Sequence, residues 1–392
     1  MNSFIPLSIP NFEGNERKYV DDAVDKGWVS TGGSYVSKFE KNLASYLNVE
    51  DVAVCQSGTS AIHLSLIEAG VIPGDTVLVP PLTFIAAVNP VKYQHAFPVF
   101  IDCDDSFCLD PIKLRKFCEE ECDWDGKVLH YQKSAVKAII VVHIFGNMAD
   151  MEAIMNIASR FNLKVIEDAT EALGSFYTDG KYKGRFAGTI GNFGAFSFNG
   201  NKIITTGGGG AVTSLTPSNV SHMRFLSTQA KTDPVNYTHD EVGYNYRMTN
   251  LQAALGVAQL ENLPEFIRRK QFNYDKYASL LANSDYCQLM PFRSGTCSNK
   301  WFYSLLINRS KIKTPISKII EQLKTSGIET RAIWGLINEQ KPYQNEKTYL
   351  LEKAPYYASR IINIPCSTQI TFEEIEYVVS SIEKLLGDFA DE

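Results

Sequence analysis

Residues 52–70 read VAVCQSGTSAIHLSLIEAG. The first four are apolar, and a short apolar run bounded by small polar residues reads as a buried strand. The segment Gln56-Ser57-Gly58-Thr59-Ser60 interrupts the run, and from Ala61 the apolar residues keep helical spacing. A strand that turns through small residues into a helix is the opening of a βαβ unit. The same alternation extends outward, with apolar strand candidates at 76–79, 98–102, 138–144, 163–168 and 193–198, and helical stretches at 112–121 and 150–160. This pattern predicts an α/β fold with a mostly parallel central sheet flanked by helices. Ligands in that architecture sit beyond the carboxyl ends of the strands, so the polar residues that end each apolar run matter most.

After about residue 250 the texture changes. An apolar stripe covers 251–263, Pro264 is expected to start a new segment, and 265–281 reads as a long amphipathic helix with Arg268, Arg269 and Lys270 on its solvated side. A strand at 301–307, a helix at 316–326 and a closing helix at 373–386 follow. The expected division is a large unit over 1–260 and a smaller C-terminal α/β unit over 261–392.

The chain has 392 residues, 44% of them hydrophobic and 21% charged, in the ordinary range of globular proteins. Its net charge of −6 lacks the basic surplus needed to hold a phosphate backbone by charge, so nucleic acid is not an expected partner. No apolar run approaches the ~20 residues of a membrane helix. Pro6 and Pro10 break the N-terminal apolar stretch, which no Lys or Arg precedes, so a cytoplasmic protein is expected. The eight cysteines form no C-x-x-C pair and the six histidines no H-E-x-x-H, so no metal site is expected.

Three stretches carry chemistry. In CQSGTSA, small residues at a helix start present backbone amides and hydroxyls suited to a phosphate dianion, although taken alone Ser-Gly-Thr-Ser is also a plain N-cap with a turn glycine. In LKVIEDATEALGS, residues 163–175, the apolar strand ends in Glu167 and Asp168. One of the two is expected to face the site while the other caps or is solvated. In FGAFSFNGNKIITTGGGGAV, residues 193–212, Lys202 stands alone among apolar and glycine residues. The run Gly207–Gly210 suggests close backbone approach or unusual dihedrals beside it. A solitary lysine in such a loop is a candidate for an amine of lowered pKa. Neither G-x-G-x-x-G nor G-x-x-x-x-G-K-[ST] occurs. Phosphate cradle, strand-end carboxylate and isolated lysine together match what pyridoxal phosphate requires.

On WVSTGG, SGTSA, PPLTFIAA, VHIFG, EDATEALG, FSFNGNKIITTGGGGAV and GYNYRMTNLQAA the sequence resembles the DegT-type nucleotide-sugar aminotransferases, of the aspartate-aminotransferase-like fold type I, and the resemblance covers most of the chain from about residue 10 to 380. Within them it resembles most the enzymes acting at carbon 4 of UDP-linked 4-keto-6-deoxy-N-acetylhexosamines, on routes to bacillosamine or legionaminic-type acids. The resemblance implies transfer of an amino group from L-glutamate to such a ketosugar, with pyridoxal 5'-phosphate as cofactor.

It also implies roles. Lys202 would hold the cofactor as a Schiff base and shuttle the proton, and Asp168 would pair with the pyridinium nitrogen. Thr59 and Ser60 would bind the phosphate together with Ser197, and Phe84 would stack on the pyridine face. Asn245 would reach the cofactor phosphate of a neighbouring subunit in a homodimer, and Arg331 and Thr31 would contact the sugar nucleotide. Two positions depart from the family. Glu171 stands where many members carry a glutamine bonded to the cofactor's phenolic oxygen, and Asn338 where a histidine is frequent.

Three other readings fit the sequence less well. A relative that dehydrates the sugar would have histidine in place of Lys202, a non-catalytic regulator would not need Lys202, Asp168 and Ser197 intact, and a doubly wound oxidoreductase would need the missing glycine fingerprint.

Overall fold

The computed structural model describes residues 4–233 and 235–390; Pro234 and the outermost ends of the expected 1–260 and 261–392 units lie outside the described residues. The alternation seen in the sequence builds one large sheet. Its strands β1 (Val52–Cys55), β2 (Thr76–Val79), β3 (Phe97–Ile101), β4 (Ser134–Val142), β5 (Lys164–Asp168), β6 (Phe193–Ser197) and β7 (Gly210–Ser214) lie in the order β1-β7-β6-β5-β4-β2-β3, and Lys347–Tyr349 adds an edge beyond β3. Only β7 runs against its neighbours along this row; the others are parallel.

That one reversal positions the site. Parallel neighbours need a crossover to return, whereas the antiparallel step from β6 to β7 needs only a loop. Residues 198–209 form that loop, and Lys202 sits on it. Because β1, β5 and β6 point the same way, their carboxyl ends share the sheet edge where this loop lies. The strands are buried on both faces, which is why they read as continuous apolar runs.

Helix α1 (Gly58–Glu68) follows β1, and most of its residues from Ser60 to Leu66 are buried against the sheet. Helix α2 (Asn250–Leu281) begins with a capping box in which Thr249 and Gln252 satisfy each other's backbone amides. It corrects the sequence expectation at Pro264, because the helix continues through that residue to Leu281. Proline removes one intrahelical hydrogen bond, and the burial of Leu260, Leu263 and Phe266 around it keeps the helix docked. A helix therefore runs unbroken across position 260.

Beyond α2 lies a four-stranded antiparallel sheet in the order Cys287–Leu289, Tyr303–Ile307, Ile361–Ile364, Arg331–Ala332. The helices Ile316–Thr325 and Phe372–Ala390 accompany it. Two strand expectations run slightly long: the ladder starts at Tyr303, leaving Trp301 outside it, and β4 ends at Val142, after which His143 leads into a tight turn with Phe145 at φ 56°. Among the described residues, no helix is long and apolar enough to cross a membrane.

Candidate active site

A cavity of about 500 Å³ opens where β1, β5 and β6 end. Thr59, Phe84, Asp168, Glu171, Ser197, Lys202 and Arg331 all line it, so seven of the expected site residues, distant in sequence, meet in one place. The other three do not line it. Thr31 and Asn245 are exposed elsewhere on the chain, and Ser60 is buried beneath the cavity wall.

The phosphate cradle is built by close packing at the start of α1. Ser57 caps the helix, its Oγ accepting the Ser60 N–H at 3.0 Å. The Ser60 amide is thereby engaged, a correction to the expectation that it faces a ligand. The first amides of a helix have no carbonyl of their own helix to bind, so Gly58 and Thr59 keep donors directed out of the N-terminus. Gly58 has no room for a side chain, since a Cβ would stand 2.8 Å from Thr170 Cγ2 and 3.0 Å from Ser197 Cβ. Gly210 has none either, because its Cβ would stand 2.5 Å from the Ser57 carbonyl. Within the run 207–210, Gly210 thus serves close backbone approach at the helix start, while Gly207, with φ 77° and open space around it, serves the turn.

Asp168 ends β5 with its carboxylate buried, Oδ1 accepting the Thr170 N–H at 3.0 Å. Burial pushes its pKa up, against hydrogen bonds from Thr170 and the nearby charge of Lys202. Glu167 neither caps nor meets solvent, contrary to expectation. It is fully buried on the opposite side of the strand and accepts from the Gly188, Ile190 and Gly191 amides at 2.9, 2.6 and 2.5 Å. His143 completes the set: Nδ1 accepts the Ala149 N–H at 3.2 Å, which leaves Nε2 to donate to Glu167 at 2.9 Å. Glu167 ties β5 to the loop that leads into β6, and so fixes Asp168 relative to Ser197.

Lys202 Nζ reaches into the cavity 3.7 Å from Glu171 Oε1. Burial lowers the lysine's pKa, while Glu171 and Asp168 act to raise it. Glu171 is pushed up to about 7, first by burial, against the pull of Lys202 and the Phe145 N–H that its Oε2 accepts at 2.8 Å. A carboxyl that titrates near neutrality can present an O–H donor where the more common glutamine presents an amide, so the departure from the family pattern keeps a donor available.

Several lining residues escaped the sequence reading. Thr170 touches both Gly58 and Asp168 but was read only as part of the strand-end motif. Trp334 lies three residues beyond Arg331 and packs against Phe145, ring centroids 4.9 Å apart, and Phe84, at 6.3 Å. Trp301 reaches the cavity from outside any motif. A tryptophan three residues from a candidate substrate-binding arginine was the one available signal for Trp334; none existed for Trp301. Asn338 does not line the cavity, and its Oδ1 is buried with no partner among the described residues.

The donor set fits pyridoxal phosphate: helix-start amides with the hydroxyls of Thr59 and Ser197 for a phosphate, a buried carboxylate for a ring nitrogen, and a primary amine for an aldehyde. Comparison with known proteins points the same way. The profile of the DegT/DnrJ/EryC1/StrS aminotransferase family matches residues 10–383. The GDP-perosamine synthase of Caulobacter vibrioides is 35% identical over 97% of this chain and 98% of its own. The UDP-4-amino-4,6-dideoxy-N-acetyl-beta-L-altrosamine transaminase of Campylobacter jejuni is 28% identical over 92% of each. The crystal structure of a DegT DnrJ EryC1 StrS aminotransferase from Brucella abortus superposes with a TM-score of 0.85 at 25% identity, covering 95% of both chains.

Proposed function

Because this chain belongs to the DegT/DnrJ/EryC1/StrS aminotransferase family and is a pyridoxal-phosphate-dependent sugar aminotransferase, we propose that it transfers an amino group from L-glutamate to carbon 4 of a UDP-linked 4-keto-6-deoxy-N-acetylhexosamine for surface-glycan synthesis. The observation that carries the amino-transfer chemistry is the convergence of Lys202, Asp168 and the start of α1 on one cavity. When bound, pyridoxal phosphate supplies the electron sink and carries the amino group between donor and ketosugar.

The chain's own groups divide the remaining work. The amides of Gly58 and Thr59 and the hydroxyls of Thr59 and Ser197 bind the phosphate. Asp168 holds a proton on the ring nitrogen by charge, and Phe84 and Trp334 wall the cavity on its exposed side. Lys202, once its amine is free, takes a proton from one carbon and returns it to another, and its lowered pKa keeps the neutral, proton-accepting form accessible. Glu171 holds or releases a proton beside it. Arg331, exposed at the mouth and paired with Glu329 at 2.9 Å, is the cation available to an anionic substrate. Asn245 and the exposed surface around it belong, in this reading, to a homodimer in which each chain completes its partner's phosphate site, in the cytoplasm.

Support for the UDP-linked substrate is the motif similarity at 163–175 and 193–212 together with the altrosamine transaminase relative. A GDP-linked substrate is the second reading, favoured by the higher identity and coverage of the GDP-perosamine synthase relative. The deciding experiment incubates the protein and glutamate with UDP-, GDP- and dTDP-linked 4-ketosugars and follows the amino product by mass. Turnover confined to the GDP sugar overturns the UDP reading and keeps the aminotransferase. An absorbance spectrum that glutamate does not change overturns the proposed amino donor.

A further inference from the structure

Trp301 is 2% exposed and held from several sides. Its backbone N–H donates to the Phe145 carbonyl at 3.1 Å and to Asn299 Oδ1 at 3.0 Å. Its carbonyl accepts from Lys270 Nζ at 2.7 Å and from Cys366 Sγ at 3.4 Å. Lys270 is itself 2% exposed on α2, contrary to the expectation that it lies on the helix's solvated side, because its amine turns inward to this carbonyl. The indole N–H donates to the Asn201 carbonyl at 2.7 Å, the group that forms the peptide bond to Lys202. The ring then lies under the lysine's own amine, with Nζ 4.1 Å from the ring centroid.

A cation above an indole face is attracted by the ring quadrupole, most strongly when both are out of water. Lys202 meets that condition, with 12% of its side chain exposed. The charged groups around it are Glu171 at 3.7 Å, Asp168 on β5, Arg331 across the same cavity, and Lys270 across a small cavity behind the loop that Lys202 also lines. The two carboxylates favour the ammonium, while Arg331, Lys270 and burial oppose it. The indole adds a surface that favours the ammonium without adding a third carboxylate to a site already holding two.

We propose that Trp301 is a positioning residue for the transamination: its ring face stabilises the Lys202 ammonium, and its N–H bond to Asn201 holds the lysine backbone so that the amine projects beside Asp168 and Glu171. The inference rests on Lys202 being the catalytic amine, and it joins that amine to a residue of the segment beyond α2, just before the strand Tyr303–Ile307.

The test uses the full chain freed of cofactor with hydroxylamine, and reads the rate at which acetic anhydride labels Lys202, by peptide mass, across pH. Only the neutral amine reacts, so weakening the ring's hold on the ammonium must speed labelling near neutral pH and move the midpoint of the rate profile down. Trp301→Leu is expected to raise the neutral fraction about threefold to tenfold, and Trp301→Phe, which keeps an aromatic face, to return most of the difference. Should the leucine variant fail to fold, site-specific replacement of Trp301 by singly to multiply fluorinated tryptophan keeps the shape and the N–H while draining the negative face. A midpoint that falls step by step with fluorination supports the proposal; a flat series overturns it. Borohydride reduction of the wild-type holoenzyme separates the two claims. Cofactor fixed to a lysine other than Lys202 defeats the assignment of the amine, whereas cofactor on Lys202 with a flat series defeats only the role of Trp301.

Discussion

Glu171 Oε1 stands 3.7 Å from Lys202 Nζ, and burial drives both groups toward their neutral forms. A lowered amine beside a raised carboxyl is the pair an amino-transfer site needs, since the two shifts bring their proton affinities closer together and ease passage of a proton between them.

This pair makes stability depend on pH. Glu171 moves from a usual value of 4.5 to about 7 in the folded chain. Between those values the folded chain keeps a proton that the unfolded chain has lost, so this contribution falls as pH rises through the interval and is level above it. Glu171→Gln removes the effect while retaining an acceptor for the Phe145 N–H. The melting temperature of the variant relative to wild type is expected to increase from about pH 5 to about pH 8; parallel melting curves across that range would contradict the assignment.

Lys202→Ala is expected to cut turnover by about 10²–10⁴-fold or more and to abolish the borohydride-stable attachment of cofactor. Asp168 and Glu171 lose the cation that now lowers their pKa values, so both carboxyls should titrate higher still. Turnover and peptide mapping check the first outcome, and infrared titration of the carboxyls the second.

Gly58→Ala forces a methyl against Thr170 Cγ2 and Ser197 Cβ, at 2.8 and 3.0 Å. The expected cost is about 1–3 kcal/mol of stability, with weaker cofactor retention because the helix start must back away from the cavity. Adding Thr170→Ser removes the closest contact and should restore part of both. Additive losses in the double variant would show that the cradle does not depend on this packing.

Glu167→Ala leaves three amide donors and the His143 ring without their acceptor in a site with no solvent. A loss of about 3 kcal/mol or more is expected, measured by denaturant unfolding with an unchanged m-value. A loss below about 1 kcal/mol would mean that the Gly188–Gly191 loop finds other partners easily.

Mixed dimers test the shared site. If Asn245 serves the neighbouring subunit, a heterodimer of one Lys202→Ala chain and one Asn245→Ala chain contains one wholly intact site and should regain activity that neither homodimer shows. No recovery on mixing would place Asn245 in the service of its own chain, or outside the site altogether.

The local signals in this chain were strong where chemistry and secondary structure coincide. Apolar runs at 52–55, 163–168 and 193–198 announced buried parallel strands, found at 52–55, 164–168 and 193–197, because sheets covered on both faces need no polar alternation. Asp168, Ser197 and Lys202 were legible because each ends a strand or follows one, and strand ends are where an α/β sheet gathers its ligands. Tertiary packing decided what no local pattern encodes. Pro264 remains helical because buried neighbours outweigh one lost hydrogen bond. Glu167 is a buried anchor because a loop more than twenty residues later brings three amides to it. Ser60 turns its amide to Ser57 because the cap competes for it. Trp301 lies 99 positions from the lysine it touches, in a stretch whose composition marks only core, and long-range burial alone brings the two together. Sequence by itself determined the strands, the helix start and the chemical groups at their ends; the surroundings that set how those groups ionise came from segments that meet only once the chain is folded.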